Sequence, residues 1–151
     1  MKATEAHDKP VVLLVQPERD DREMYAEFLR HEGFTPLPVS TARDAIIVAP
    51  DVAIIVTGML LPGHMDGIEF IGRLKSDGRT RSIPVVVLTA CAWDAERERA
   101  HAAGCDLFLT KPCLPHMLVA EIRRLLSMRL IPRPRAARAR LANTLLRAGN
   151  S

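Results

Sequence analysis

The sequence predicts a doubly wound α/β domain built on five parallel strands. Three observations carry the expectation. Five short apolar runs alternate with five helical patterns, which argues for strand–helix–strand units. The run at 11–15 is apolar at every position, as strands covered on both faces are. The run at 35–39 carries Pro36 and Pro38, which lack ladder donors and fit only a sheet edge.

The elements follow in order. After the first strand at 11–15, a helix is expected over 19–31, with Met24, Tyr25, Phe28 and Leu29 on one face. Gly33 ends it by tolerating left-handed dihedrals. An edge position for the second strand, 35–39, matches the flavodoxin-like (βα)5 order 2-1-3-4-5. Ser40 or Thr41 caps the next helix, with Asp44 placed for a capping box, and Pro50 closes it. Residues 52–57 form the third strand. Asp66 and Gly67 lead into a helix with Ile68, Ile71 and Leu74 inward, ending near Gly78. Pro84 opens the fourth strand. The helix over 93–103 has a thin apolar face and should be the least firmly packed; Gly104 stops it. Residues 106–110 form the fifth strand, and Pro115 starts a last helix with Leu118, Ile122, Leu125 and Leu126 inward.

These elements divide the 151 residues into a polar extension (1–10), a body (11–131) and an appendage (132–151) that begins at Pro132 and Pro134. A body of this size buries enough surface to need neither disulfide nor metal. No apolar run approaches the ~18 residues of a membrane span, and residues 1–10 lack a signal peptide's apolar core, so a cytoplasmic location is expected. Cys91, Cys105 and Cys113 lack C-x-x-C spacing, which makes them free thiols before zinc ligands; a redox pair of Cys91 and Cys113 is the lesser alternative. The five histidines show no ligand-like pairing.

Ligands of open α/β sheets bind beyond the carboxyl ends of the strands. Gln16 and Pro17 stand there after the first strand, Gly58 after the third, Thr89 after the fourth, and Lys111 and Pro112 after the fifth. Together with the loop Pro62, Gly63, Asp66 and Gly67, the Thr89-Ala90 pair and Phe108, this pattern resembles the receiver domain of two-component response regulators over roughly 11–127. The resemblance implies that Thr89 reads a phosphoryl oxygen, that Lys111 bridges phosphoryl and acid beside a cis peptide bond, and that Phe108 is an aromatic switch. It also implies three carboxylates: two after the first strand to hold Mg²⁺ and one after the third as phosphoacceptor.

All three are missing. Gln16 and Pro17 occupy the acidic pair, Gly58 occupies the phosphoacceptor position, and the following loop has one extra residue, His64. Mg²⁺ needs hard oxygen ligands, so these replacements cannot seat it. The expectation is a degenerate, non-enzymatic, stand-alone receiver, a pseudo-receiver that uses no cofactor and no aspartyl phosphorylation. It would act by contact with a histidine kinase, another regulator or an effector, or with itself as a homodimer. The resemblance places that contact on the face of the fourth helix, fifth strand and fifth helix, around Thr89, Phe108, Lys111 and Pro112.

The individual residues also have plainer readings. Lys111, with no acid opposite it, is expected to reach solvent or local carbonyls. Thr89 is expected to satisfy loop backbone. Glu18, Asp20 and Asp21 read as first-turn acids that favour the helix dipole. Trp93 is expected near the old site.

Two alternatives follow from charge. The emptied pocket, with Lys111 and Thr89, could hold a small anion. The appendage carries Arg133, Arg135, Arg138, Arg140 and Arg147 without an acid, whereas residues 1–131 hold 16 Lys and Arg against 18 acids. Such a tail could meet nucleic-acid or lipid phosphates. Its stripe of Ala137, Leu141, Leu145 and Ala148 would be one face of a helix, but it lacks the aromatics and recognition-helix pattern of a sequence-specific DNA reader.

Overall fold

The computed structural model describes residues 9–91 and 93–130. Its strands are β1 (Val11–Val15), β2 (Thr35–Val39), β3 (Ile54–Thr57), β4 (Val85–Thr89) and β5 (Leu107–Thr110). They form one parallel sheet in the order β2-β1-β3-β4-β5. The helices are α1 (Arg19–His31), α2 (Ala42–Val48), α3 (Gly67–Ser76), α4 (Asp94–Ala103) and α5 (Pro115–Leu130), with a short 3₁₀ turn at Ala49–Asp51. This is the expected flavodoxin-like arrangement, with the proline-bearing strand at an edge.

Alternation within β1 explains its unbroken apolar run. Leu13 and Val15 enter a core with Ala45, Phe70, Ile71 and Leu74, under α2 and α3. Val12 and Leu14 enter a second core with Tyr25, Leu29, Leu118 and Ile122, under α1 and α5. Burying each such side chain stabilises the fold by roughly 1.5–3 kcal/mol before entropy is counted. Only Ala100 of α4 is buried, so that helix has the thin apolar attachment its sequence suggested.

Several local signals operate as expected. Thr41 caps α2 by accepting from the Asp44 N–H at 3.2 Å. The left-handed residues after α1 and α4 are Gly33 (φ 92°) and Gly104 (φ 116°). Pro36 and Pro38 lie opposite Val12 and Leu14, whereas the Thr35 N–H turns inward to the Pro10 carbonyl at 2.9 Å. The prolines therefore fall at the positions whose N–H would face away from β1.

Other boundaries move. Met24 is exposed rather than packed beneath α1; Tyr25, Ala26 and Leu29 form the buried face. β3 starts at Ile54, because the 3₁₀ turn still holds the Val52 N–H on the Ala49 carbonyl. β5 starts at Leu107, because the Asp106 carboxylate accepts from the Val85 N–H at 2.7 Å. The extension through residue 8 and the whole appendage, with its five arginines and apolar stripe, lie outside the described residues.

Tyr25 ties the second core to the loop after β5 by donating its hydroxyl to the Cys113 carbonyl at 2.6 Å. Burial, then the neighbouring Cys113 and Asp21, raise its pKa from 10.0 to about 12. A phenol that stays protonated in the folded state and ionises in the unfolded one contributes stability that is complete below pH 10. That contribution is lost as pH rises toward 12. Tyr25→Phe is therefore expected to cost about 1 kcal/mol at pH 7, from the lost hydrogen bond. It should also flatten the decline of stability between pH 10 and 12 in urea titrations; an unchanged alkaline slope would refute the assignment.

Candidate functional site

The carboxyl ends of β1, β3, β4 and β5 converge on a small cleft of about 170 Å³. Gln16, Pro17, Gly58, Thr89 and Lys111 all line it, so the sequence-selected residues do meet in one place. Strand pairing brings them there: Val15 lies opposite Thr57, and Thr89 opposite Thr110, each one residue before a site position or at it.

Gln16 is fully buried, and both ends of its amide are engaged. Nε2 donates to the Leu88 carbonyl at 3.3 Å, and Oε1 accepts from Lys111 Nζ at 2.7 Å. Lys111 Nζ also reaches Asp21 Oδ2 at 2.6 Å. This corrects two expectations. Lys111 is not a solvent-reaching cation without an acid opposite it; its side chain is 19 % exposed and ion-paired. Asp21 serves a partner 90 residues away as well as the α1 dipole. The lysine of the cleft therefore has a carboxylate partner, although Asp21 itself is not part of the lining.

Arg22 was not singled out by the sequence. Its Nη1 donates to the Gln16 carbonyl at 2.7 Å and to the Pro17 carbonyl at 3.3 Å. The Gly58 carbonyl accepts the Thr57 hydroxyl at 2.9 Å. The Gln16 amide oxygen and the Gln16, Pro17 and Gly58 carbonyls thus each already receive an N–H or O–H donor, and Lys111 and Arg22 among the donors are cations. Glu18 lines the cleft but is exposed. Among the described residues no three His, Cys, Asp or Glu side chains gather as a metal-binding group. This donor set does not fit Mg²⁺, which demands near-octahedral oxygen ligation with charge behind it.

Thr89 Oγ1 accepts from the Cys91 N–H at 3.1 Å, a local loop bond of the expected kind. The Lys111–Pro112 peptide is cis. Phe108 is buried against α4, with the Arg97 guanidinium 4.8 Å from its ring centroid and the His101 ring at 6.5 Å. Trp93 precedes α4, is 76 % exposed and does not belong to the lining of the cleft. The cysteines are free thiols. Burial, then Asp106, pushes Cys105 up to about 11; burial, then Glu121, raises Cys113, so neither is poised as a thiolate.

The lysine network can be tested directly. Lys111→Met keeps the apolar stem but leaves buried Gln16 Oε1 without its donor, at an expected cost of about 2 kcal/mol in urea unfolding. A double-mutant cycle with Gln16→Leu should show coupling of about 1 kcal/mol or more. Additive effects would mean that the contact is not formed.

A family model described as "Response regulator receiver domain" matches residues 12–123. The phosphate regulon transcriptional regulatory protein PhoB of Escherichia coli (strain K12) is 38% identical over 114 residues, covering 74% of this chain and 49% of that protein. The chain thus spans about half the length of that curated relative. A putative response regulator from Chloroflexus aurantiacus superposes with a TM-score of 0.74 at 24% identity, covering 80% of this chain and 99% of that one. The receiver domain of a sensor histidine kinase from Pseudomonas aeruginosa, described with magnesium coordinated in its active-site cleft, gives 0.68 at 25% identity over 80% and 96% of the two chains.

Proposed function

Because this chain belongs to the response regulator receiver family, we propose that it is a pseudo-receiver: a signalling module that works by protein–protein contact, without aspartyl phosphorylation and without Mg²⁺. One observation carries the reading. Where a working receiver needs three carboxylates, this chain has Gln16, Pro17 and Gly58, and the first of these occupies the Lys111 ammonium. A Gly58 without a side chain offers no nucleophile to a phosphoryl group. The lysine that would bridge phosphoryl and acid is already neutralised by Asp21.

In this reading residues 11–131 are the receiver body and 132–151 a basic appendage. The contact face comprises Thr89, Phe108, Lys111 and Pro112 with α4 and the start of α5. Its partners are signalling proteins of the same system, a histidine kinase, a regulator or an effector, or a second copy of the chain. With Phe108 inward beneath Arg97, the face is held in one arrangement, and partner binding takes the place of the phosphoryl trigger. Anion capture by Lys111 is the weaker alternative, since Asp21 and Gln16 already take two of its three N–H donors and Asp21 neutralises its charge.

The test is a titration of Mg²⁺, with and without beryllofluoride, followed by amide chemical shifts, alongside mass spectrometry after acetyl phosphate treatment. No saturable shifts around Gln16, Gly58 and Lys111, and no added phosphoryl group, are expected. A millimolar Mg²⁺ response there, or a phosphoryl adduct, would sink the proposal. For the appendage, association with nucleic acid or lipid that persists after deletion of 132–151 would remove it as the cause.

A further inference from the structure

A second cleft, of about 370 Å³, lies away from the Lys111 network and shares no lining residue with it. Arg43 of α2, His64 of the β3–α3 loop and Arg73 of α3 line it, with Thr41, Pro62 and Met65 supplying one hydroxyl and an apolar wall. No acidic side chain lines it. The side chains of Arg43 and Arg73 enter no hydrogen bond or ion pair among the described residues. Arg19, Arg79, Arg99, Arg123 and Arg124 have carboxylate partners, whereas Arg22, Arg30, Arg81 and Arg97, like Arg43 and Arg73, form no ion pair among the described residues. Glu69 and Asp77 share a neighbouring groove with Arg73, but Asp77 is held by Arg79 and Glu69 forms no ion pair. The nearby Asp66 carboxylate is committed to capping α3, accepting from the Glu69 N–H at 2.9 Å.

The loop that completes this cleft is the one with a residue more than the receiver pattern. That residue, His64, follows Gly63, whose φ of 94° turns the chain, and it stands in the lining. The extra residue therefore adds a nitrogen base to a concavity already flanked by two free guanidiniums.

We propose that this cleft binds a small phosphomonoester. Two guanidiniums without an ion-pair partner, at a cleft with no acid in its lining, call for a dianion. A phosphomonoester carries about −1.5 to −2 at pH 7, whereas a lone carboxylate carries one charge. The guanidinium fork also matches adjacent phosphate oxygens two at a time. Met65 and Pro62 offer apolar surface to the organic remainder, and the volume lies within the roughly 300–1,000 Å³ of small-molecule sites. The assignment does not depend on the pseudo-receiver reading.

The test uses the full chain at constant ionic strength and amide chemical shifts, with inorganic phosphate, 5′-AMP and acetate as probes. Phosphate is expected to saturate with a Kd below ~10 mM. 5′-AMP should bind at least as tightly and acetate should not bind. Shifts should fall at 41–43 and 62–73 while Gln16, Gly58 and Lys111 stay unmoved. Arg43→Gln with Arg73→Gln, both at exposed positions, should weaken phosphate about tenfold or more without lowering Tm. Absence of saturable phosphate binding, an equal response to acetate, weaker binding of 5′-AMP than of phosphate, shifts centred on Lys111, or full binding by the double variant would each overturn it.

Discussion

Replacing Gln16, Pro17 and Gly58 together by aspartate is expected to yield a protein whose stability depends on Mg²⁺, a dependence not expected of the parent chain. Position 58 has room for a Cβ. A Cβ at position 58 would meet Pro17 Cδ at 3.5 Å, Leu61 Cδ2 at 3.6 Å and Gln16 Nε2 at 3.9 Å, all ordinary contacts. Electrostatics makes it costly without metal. Three carboxylates would share one cleft, one at a fully buried position, with Lys111 as the nearest compensating cation. Like charges at such range disfavour one another's ionisation, and a buried carboxylate short of partners costs about 3 kcal/mol or more. A divalent ion relieves that repulsion. At a hundred times its Kd it adds ~2.7 kcal/mol, worth roughly 10 °C in Tm for a domain of this size. Thermal melts in EDTA and in Mg²⁺ check this, and an equal Mg²⁺ response from the parent chain would contradict the pseudo-receiver reading.

Gly67→Ala should be the most destabilising single methyl in the domain. The added Cβ would lie 2.7 Å from Met59 Cα and 2.9 Å from Met59 O, and closer still to Gly58 O. All three atoms are backbone, so none can rotate aside. The same glycine donates its N–H to the Met59 carbonyl at 2.8 Å, which fixes the start of α3 against the loop leaving β3. Relief of the overlap must move either the helix or the strand end, at roughly 3 kcal/mol or more. Gly72→Ala is the control, because nothing lies within 4 Å of its added Cβ and alanine favours a helix interior by about 1 kcal/mol. Urea unfolding of the pair should therefore show changes of opposite sign. A cost for Gly67→Ala below that of an average core substitution would mean that the loop does not pack on α3 as described.

The sheet was legible because its signals are local. Alternation of apolar runs, the Pro36–Pro38 pair and the glycines after α1 and α4 each act within a few residues, and the structure uses them as read. The cleft was legible in part. Strand ends can be located from sequence, so Gln16, Pro17, Gly58, Thr89 and Lys111 could be placed on one edge. What they touch could not. Asp21 sits in the first turn of a helix, where any acid is already accounted for by the dipole, and nothing local marks it as the partner of a lysine 90 positions later. Arg22 was passed over for a similar reason, since its acceptors are main-chain carbonyls with no sequence signature. The extra residue His64 was visible, but Arg43 and Arg73 belong to two helices whose relative placement only packing determines.

The pair of prolines in β2 has a consequence for the molecule in crowded solution. An unprotected margin of a sheet is a template onto which a neighbour's backbone can zip. At residues 36 and 38 the outward side of β2 has pyrrolidine rings in place of amide hydrogens, so an incoming segment finds acceptors but no donors across that stretch. Self-association by continuous strand addition is blocked at this margin. A second copy that docks at this margin must therefore do so through helices, loops or side chains, strand addition being left only to β5 at the opposite margin, and truncation or mutation that exposes β1 instead should be followed by aggregation.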